Sequence, residues 1–391
     1  MPAPLAGYRM LDFTRLLPGP MATRTLADLG ADVIKIERPP AGDYARHIPP
    51  MQGDFSYLFN QLNRNKQSLA VDFTKPEGRD IILKLVAEAD VLVESYRGGV
   101  MRELGLDYDT LRSINHTLVY ASLTGYGGEG PWAELAAHDL NVVALSGILD
   151  QTGSSGGPPQ LLNYQIADMN AAQALVTGTL TALLKRERHG EGSHLNVSML
   201  EAAMTNAPVL LSSHNAFGQP LPRGKDGLAG GLANYNIYPT KDSRYVALAA
   251  LEYKFWERFC DAIDCPDLKP RHMSFGEDAD SLHEELSAHF LQRTMDEWAA
   301  IGVHHNCCLT PVLRLNEALS HPQVQAMRIA QQLESEGVKA TQFDLPFTIS
   351  GNETPMAPAP RLGEQTASIL DQLGIDQHTQ QALLDQELIL T

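Results

Sequence analysis

Residues 8–37 read YRMLDFTRLLPGPMATRTLADLGADVIKIE. Tyr8 to Phe13 has the composition of a short strand. Pro18-Gly19-Pro20 ends it, and the prolines suit the first turn of a helix, where a missing N–H leaves nothing unpaired. That helix is expected to run through Gly30, and Asp32 to Glu37 (DVIKIE) is the next strand. Further strands are predicted at Ser68–Phe73, Asp90–Tyr96 and Leu118–Leu123. Between them, Lys75–Ala89 has helical spacing, with Ile81, Ile82, Leu85 and Val86 on one apolar face. Strands alternating with helices predict an α/β fold with a mostly parallel sheet covered on both faces.

The chain has 391 residues, too many for one ordinary core, so two domains are expected. A long helix is predicted over Ile166–Arg188, ending in His189-Gly190-Glu191-Gly192. Ser213–Asn234 is rich in Gly, Pro and Asn and reads as a linker or mobile loop. Asn236–Ala250 then alternates around the turn Lys241-Asp242-Ser243, and helical segments follow through His304, which predicts a smaller α+β domain.

The formal net charge of -17 argues against non-specific nucleic-acid binding, which needs a basic footprint, but leaves room for an anionic ligand in a local basic pocket. No apolar run approaches the roughly 18 residues of a membrane span, and no signal peptide is evident at the N-terminus. With only four cysteines (Cys260, Cys265, Cys307 and Cys308), a reducing, cytoplasmic setting is the simple expectation. The run His304-His305-Asn306-Cys307-Cys308 crowds its potential metal ligands into five residues, whereas structural zinc sites split theirs between two separated pairs. A helix end running into a buried strand is the better reading, and no metal is expected.

The first βα turn, Thr14-Arg15-Leu16-Leu17-Pro18-Gly19-Pro20, is not G-x-G-x-x-G, which argues against a bound dinucleotide. Arg38 directly follows a predicted strand and so belongs at the carboxyl edge of the sheet, where ligands bind in such folds. Arg64 and Lys66 precede another strand and Arg97 follows a third. All four are candidates for phosphate groups, or else cations in ordinary ion pairs. Gly125-Tyr126-Gly127-Gly128 lets the backbone approach a ligand closely, just ahead of His138.

His138, Asp139 and Asp168 are the candidates for chemistry. Two groups that hold or release a proton near neutrality are what a reaction needs to remove a proton from one face of a carbon and return it to the other. Each also has a plainer reading. His138 fits a buried, satisfied histidine, Asp139 and Asp168 fit helix N-caps, and Glu252, between a predicted strand and helix, fits a first-turn carboxylate.

Over nearly its whole length the chain resembles the class III CoA-transferase (CaiB/BaiF-like) family. The matching pieces are LDFTRLLPGP (11–20), ADLGADV (27–33), IERP (36–39), NKQS (65–68), RGGV (97–100), TGYG (124–127) and PRLGE (360–364). The resemblance implies a choice between branches. In transferases the aspartate matching Asp168 attacks the acyl-CoA thioester. In the α-methylacyl-CoA racemase branch a His-Asp pair, the same aspartate and a small-domain glutamate match His138, Asp139, Asp168 and Glu252. All four being present favours the racemase branch, with a CoA-transferase as the alternative and an idle CoA-binding protein as a third reading.

The resemblance further implies proton transfer at C2 of a 2-methylacyl-CoA through an enolate, with His138 and Asp168 as the acid/base pair and Glu252 setting the tautomer of His138. Arg38, Arg64, Lys66 and Arg97 would hold the CoA phosphates, the loop Gly125, Tyr126 and Gly127 would lie beside the ligand, and no metal or redox cofactor would be required. It implies a large Rossmann-like CoA-binding domain (1–190 and 325–391), a small α+β domain (225–312), linkers at 191–224 and 313–324, and an interlocked homodimer in which Glu252 acts in trans.

Overall fold

The opening stretch folds as β1 (Arg9–Asp12), α1 (Pro18–Asp28) and β2 (Asp32–Glu37), with Pro18 in the first turn of α1. It begins a chain of parallel-sheet units: β3 (Gln67–Val71), α2 (Pro76–Ala87), β4 (Val91–Glu94), β5 (Val119–Thr124), α3 (Asp139–Leu145), α4 (Ile166–His189) and β6 (Ser193–Ser198). Then come α5 (Pro208–Phe217), β7 (Tyr235–Pro239), β8 (Tyr245–Ala249), α6 (Tyr253–Ala262), α7 (Glu277–Phe290), α8 (Met295–His305) and β9 (Leu309–Pro311). The hairpin β10 (Ala330–Ser335) and β11 (Val338–Phe343) follows, and β12 (Ile389–Leu390) closes the chain. The structure, a computed structural model, describes residues 3–350 and 355–391.

Two compact units result. The first holds the chain up to Ser146, Tyr164–Asn206 and everything from Ala326 onward; the second holds Gly147–Asn163 and Ala207–Gln325. The central sheet of the first has the order β12-β3-β2-β1-β4-β5-β6, parallel except for β12. From β1 the chain builds outward through β2 and β3, then crosses back to β4, β5 and β6. The order therefore reverses between β1 and β4, and the carboxyl ends of those two strands flank the crevice where such sheets take ligands.

The predicted apolar face of α2 is the one that packs. Ile81, Ile82, Leu85 and Val86 are buried against Leu11, Ile34, Leu69, Leu92 and Tyr120 from five neighbouring strands. Each such side chain contributes on the order of 2 kcal/mol of transfer free energy. In the second unit β9-β8-β7 form an antiparallel sheet, joined by the expected turn after Pro239. Its core is an aromatic stack, with ring centroids 4.6 Å apart for Tyr238–Phe290 and 5.6 Å for Phe259–Phe290. His304–Cys308 is the end of α8 running toward β9, with Cys307 fully buried in this core.

The stretch 191–224, expected as a linker, is instead largely regular. It contains β6, a short helix over Met199–Thr205 and α5. β6 escapes sequence reading because it is an edge strand whose outer residues His194 and Asn196 are exposed, so SHLNVS shows no apolar run. Beyond α5 the chain is irregular but anchored, since the Arg223 guanidinium is 3.0 Å from Asp150 Oδ1.

Candidate active site

β5 ends at Thr124, whose hydroxyl oxygen accepts the Gly127 N–H at 3.1 Å and turns the chain back on itself. Gly127 has φ +97°, which a side chain would strain. At Gly125 a Cβ would stand 2.5 Å from the Cβ of Ala137. Only glycine lets the residue before His138 return this close to the end of β5. His138 is the N-cap of α3: its N–H donates to Asn141 Oδ1 at 3.1 Å and its carbonyl accepts the Asn141 N–H at 3.0 Å. Its ring is exposed rather than packed in the core. Asp139 is the first residue of α3 and not its cap.

Asp139 does cap a helix, but a different one. Its Oδ1 accepts the N–H groups of Ala167 at 2.8 Å and Asp168 at 3.2 Å, satisfying two donors of the first turn of α4 from a point nearly thirty residues upstream. Asp168, read as a possible cap, sits inside that turn with its side chain free of this duty. It is only 8% exposed. Burial, with the Asp139 charge adding to it, pushes the Asp168 carboxyl up to about 7. A carboxyl at a helix N-terminus would ordinarily be favoured in its ionised form, so here desolvation and like charge win. His138 and Asp139 are thus neighbours in the chain, and the Asp139 carboxylate ties their segment to the first turn of α4, which holds Asp168.

Glu252 belongs to the second unit. It is the N-cap of α6, with its carbonyl accepting from Phe255 at 2.9 Å and its side chain making no capping bond. It is exposed. The first-turn carboxylate reading fails, since Glu252 lies outside the helix and leaves its donors alone.

The four cations separate into two pairs. Arg64 is 0% exposed and forks onto Asp28, at 3.0 Å through Nε and 2.7 Å through Nη2, while Nη1 reaches Gln342 Oε1 at 3.2 Å. Lys66 is also buried and spends all three ammonium protons, on Asp12 (2.9 Å), Asn63 (2.8 Å) and the Pro20 carbonyl (3.1 Å). The expectation that these two bind phosphate is corrected: both are buried structural charges, Arg64 in a forked ion pair with Asp28 and Lys66 with all three protons taken. Arg38 and Arg97 are exposed at the carboxyl ends of β2 and β4, and Arg38 keeps only a loose 3.6 Å approach to Asp72.

The profile described as CoA-transferase family III matches residues 5–366. The chain belongs to this family. Acetyl-CoA:oxalate CoA-transferase of Acetobacter aceti is 33% identical, over 94% of this chain and 95% of its own length. Human alpha-methylacyl-CoA racemase is 30% identical, over 95% of this chain and 93% of its own. Among solved structures, a CAIB/BAIF family protein from Brucella suis superposes with a TM-score of 0.83 at 28% identity, covering 95% of this chain and 100% of that one. The chain is therefore an enzyme of CoA-transferase family III, with relatives in both the racemase and the transferase branches.

In this family III chain the crevice at the β1–β4 reversal carries a further cation that sequence reading missed. Arg15 lies in the turn after β1, with its guanidinium 4.5 Å from the ring centre of Tyr96 and 5.0 Å from that of Tyr44. Beside it Leu16 has φ +65°, held there by a hydrogen bond from its N–H to Asp43 Oδ1 at 3.1 Å. Asp43 in turn pairs with the buried Lys35 at 2.9 Å. Burial alone would raise the neighbouring Asp12 carboxyl, but Lys66, Lys35 and the Thr14 hydroxyl outweigh it and hold Asp12 far below the ordinary range. The only sequence signal for Arg15 is its place directly after a strand at the switch point, the same signal that singled out Arg38.

Proposed function

We propose that this enzyme racemises or epimerises C2 of a 2-methylacyl-CoA thioester by 1,1-proton transfer. The observation that carries the proposal is Asp168, a buried carboxyl pushed up to about 7 whose N–H donates to Asp139, the residue next to His138. A group poised near the working pH suits general acid/base chemistry, whereas a carboxylate nucleophile works in its ionised form. The imidazole of His138 takes the C2 proton and the electron pair of the C–H bond moves onto the thioester oxygen as an enolate. Protonated Asp168 then delivers its proton to the opposite face of C2, and the enolate collapses to the inverted thioester. Exchange with water, or the reverse reaction, resets the pair. The Asp139 N–H, at the start of α3, is the proposed donor to the enolate oxygen.

Arg38 and Arg97, joined by Arg15, are the proposed phosphate ligands of the CoA moiety, which enters as part of the substrate. The thioester itself acidifies the C2 proton, so the proposed reaction calls on no metal or redox group. Glu252 is the proposed partner of His138, supplied across an interlocked homodimer. In support, it is exposed and its side chain makes no capping bond to its own helix. Among the described residues no helix is long and apolar enough to cross a membrane. A cytoplasmic location is proposed on the four free cysteines.

The second reading, transfer of CoA between carboxylic acids with Asp168 as nucleophile, has the 33% identity to the oxalate transferase in its favour. Proton NMR of a 2-methylacyl-CoA in heavy water, with no acceptor acid, separates the two. Loss of the C2 proton signal with the wild type but not with His138→Ala supports the racemase. No loss, followed by CoA transfer once free acids are added, overturns it.

A further inference from the structure

Glu252 is presented by a segment whose every turn is pinned within the second unit. Ala249 N–H donates to the Cys308 carbonyl at 2.9 Å. Ala250, fully buried, exchanges two hydrogen bonds with Asn234: its N–H donates to the Asn234 carbonyl at 2.9 Å, and its carbonyl accepts Asn234 Nδ2 at 2.8 Å. Leu251 is the last residue before Glu252, and its carbonyl lies 2.7 Å from His272 Nε2. A carbonyl only accepts, so Nε2 carries the proton and the tautomer is set. The ring of Tyr253, the residue after Glu252, meets the His272 ring edge to face at 5.5 Å. One imidazole therefore touches the chain on both sides of Glu252.

His272 is itself built into place. Arg271 forks onto Asp278 (Nε to Oδ1, 3.1 Å) and Glu285 (Nη1 to Oε2, 2.7 Å), and the Ser274 hydroxyl donates to the Arg271 carbonyl at 2.8 Å. Within this turn Met273 adopts φ +57°, a conformation unfavourable for a side chain of its kind. Strain of this sort persists where surrounding contacts impose it, and it gathers where a group must be aimed. Here the aimed group is the imidazole. Nothing in helix formation asks for it, because α6 begins after Glu252 and draws its first acceptor from the Glu252 carbonyl.

We propose that His272 is a positioning residue: its Nε2–H, held against the Leu251 carbonyl, fixes the main chain that presents the Glu252 carboxylate to the reacting histidine. This rests on the reading of Glu252 as the partner of His138. Such a carboxylate has to be held to within a fraction of an ångström, and a misplacement of about 1 Å costs up to about 100-fold in rate. His272→Phe keeps a flat ring against Tyr253 but removes the donor; His272→Gln keeps a donor at similar reach.

The test is a double-mutant cycle on C2 proton exchange together with backbone hydrogen exchange, using the full-length protein. His272→Phe is expected to lower the exchange rate constant about tenfold at an unchanged KM for the acyl-CoA, and His272→Gln to recover most of it. In a Glu252→Gln background His272→Phe is expected to cost nothing more, since its effect runs through that carboxylate. Amide exchange is expected to speed up in Ala250–Phe255 for His272→Phe and not for His272→Gln. An equal loss in both backgrounds, or failure of glutamine to rescue, overturns the proposal. Unchanged amide exchange overturns it as well, and does so even if the wild type exchanges no C2 proton. A wild type without C2 exchange is instead a failure of the racemase reading.

Discussion

Replacing Asp168 by asparagine removes a buried charge that the fold disfavours, so the variant should gain stability over the wild type as the pH rises. Burial and Asp139 move this carboxyl from an ordinary 3.8 to about 7. Below 3.8 it is protonated in folded and unfolded chains alike and costs nothing. Between the two values the unfolded chain releases the proton while the folded chain keeps it, so the folded state loses stability as pH rises. Above 7 the cost is complete and constant. At about 1.4 kcal/mol per pH unit the full cost is about 4 kcal/mol, of which about 2–3 kcal/mol accrues between pH 5 and pH 8. Asparagine has no such cost. Whatever it loses or gains in packing and hydrogen bonding does not depend on pH, so the change in the difference isolates the charge. Urea midpoints of both proteins at pH 5 and pH 8, with equal slopes, give the comparison. A difference that stays the same at both pH values, or a ¹³C titration of the Asp168 carboxyl with a midpoint below 5, would refute the reasoning.

Asp139→Asn keeps an acceptor for the first turn of α4 but deletes the charge beside Asp168, so the Asp168 midpoint should fall, as ¹³C titration would register; Asp139→Ala should in addition cost about 1 kcal/mol of stability through the lost cap. Arg64→Ala strips one partner from a buried pair and should destabilise by about 3 kcal/mol in urea unfolding. Arg97→Ala, at an exposed position, should leave stability within about 0.5 kcal/mol and raise KM for the CoA thioester in steady-state assays. Gly125→Ala puts a methyl group 2.5 Å from Ala137 and should cost about 1–3 kcal/mol while displacing His138, seen as a lower C2 exchange rate.

The strands and helices of the first 125 residues are legible because their signals are local. Apolar alternation, the four-residue face of α2 and the prolines in the first turn of α1 all act over one or two turns of chain, and the boundaries of β2 coincide with the predicted Asp32–Glu37. β6 lacks such a signal, since one side of an edge strand faces water and tolerates polar residues. The placement of His138 next to the glycine loop was equally local, and Asp168 and Glu252 stand out as residues, but only a family resemblance gives them joint roles with His138. The fates of the cations were not local. Arg64 finds Asp28 thirty-six residues away and Lys66 finds Asp12 across fifty-four, while Arg38 and Arg97 find little. All four look alike in sequence, because a charge carries no mark of the partner that will bury it.

By itself, then, the sequence determined the elements, the α/β class and the residue types available for acid/base chemistry. Only the tertiary structure decided that Asp139 would cap a helix beginning at Ile166 and that Asp168 would be dry enough to hold its proton near neutrality. The tertiary structure likewise decided that the crevice would be lined by Arg15 and not by Lys66. The physical reason is one of range. Backbone propensity and turn chemistry are settled by a few neighbouring residues, whereas desolvation and charge pairing depend on which distant segments the packed sheet brings to the same edge.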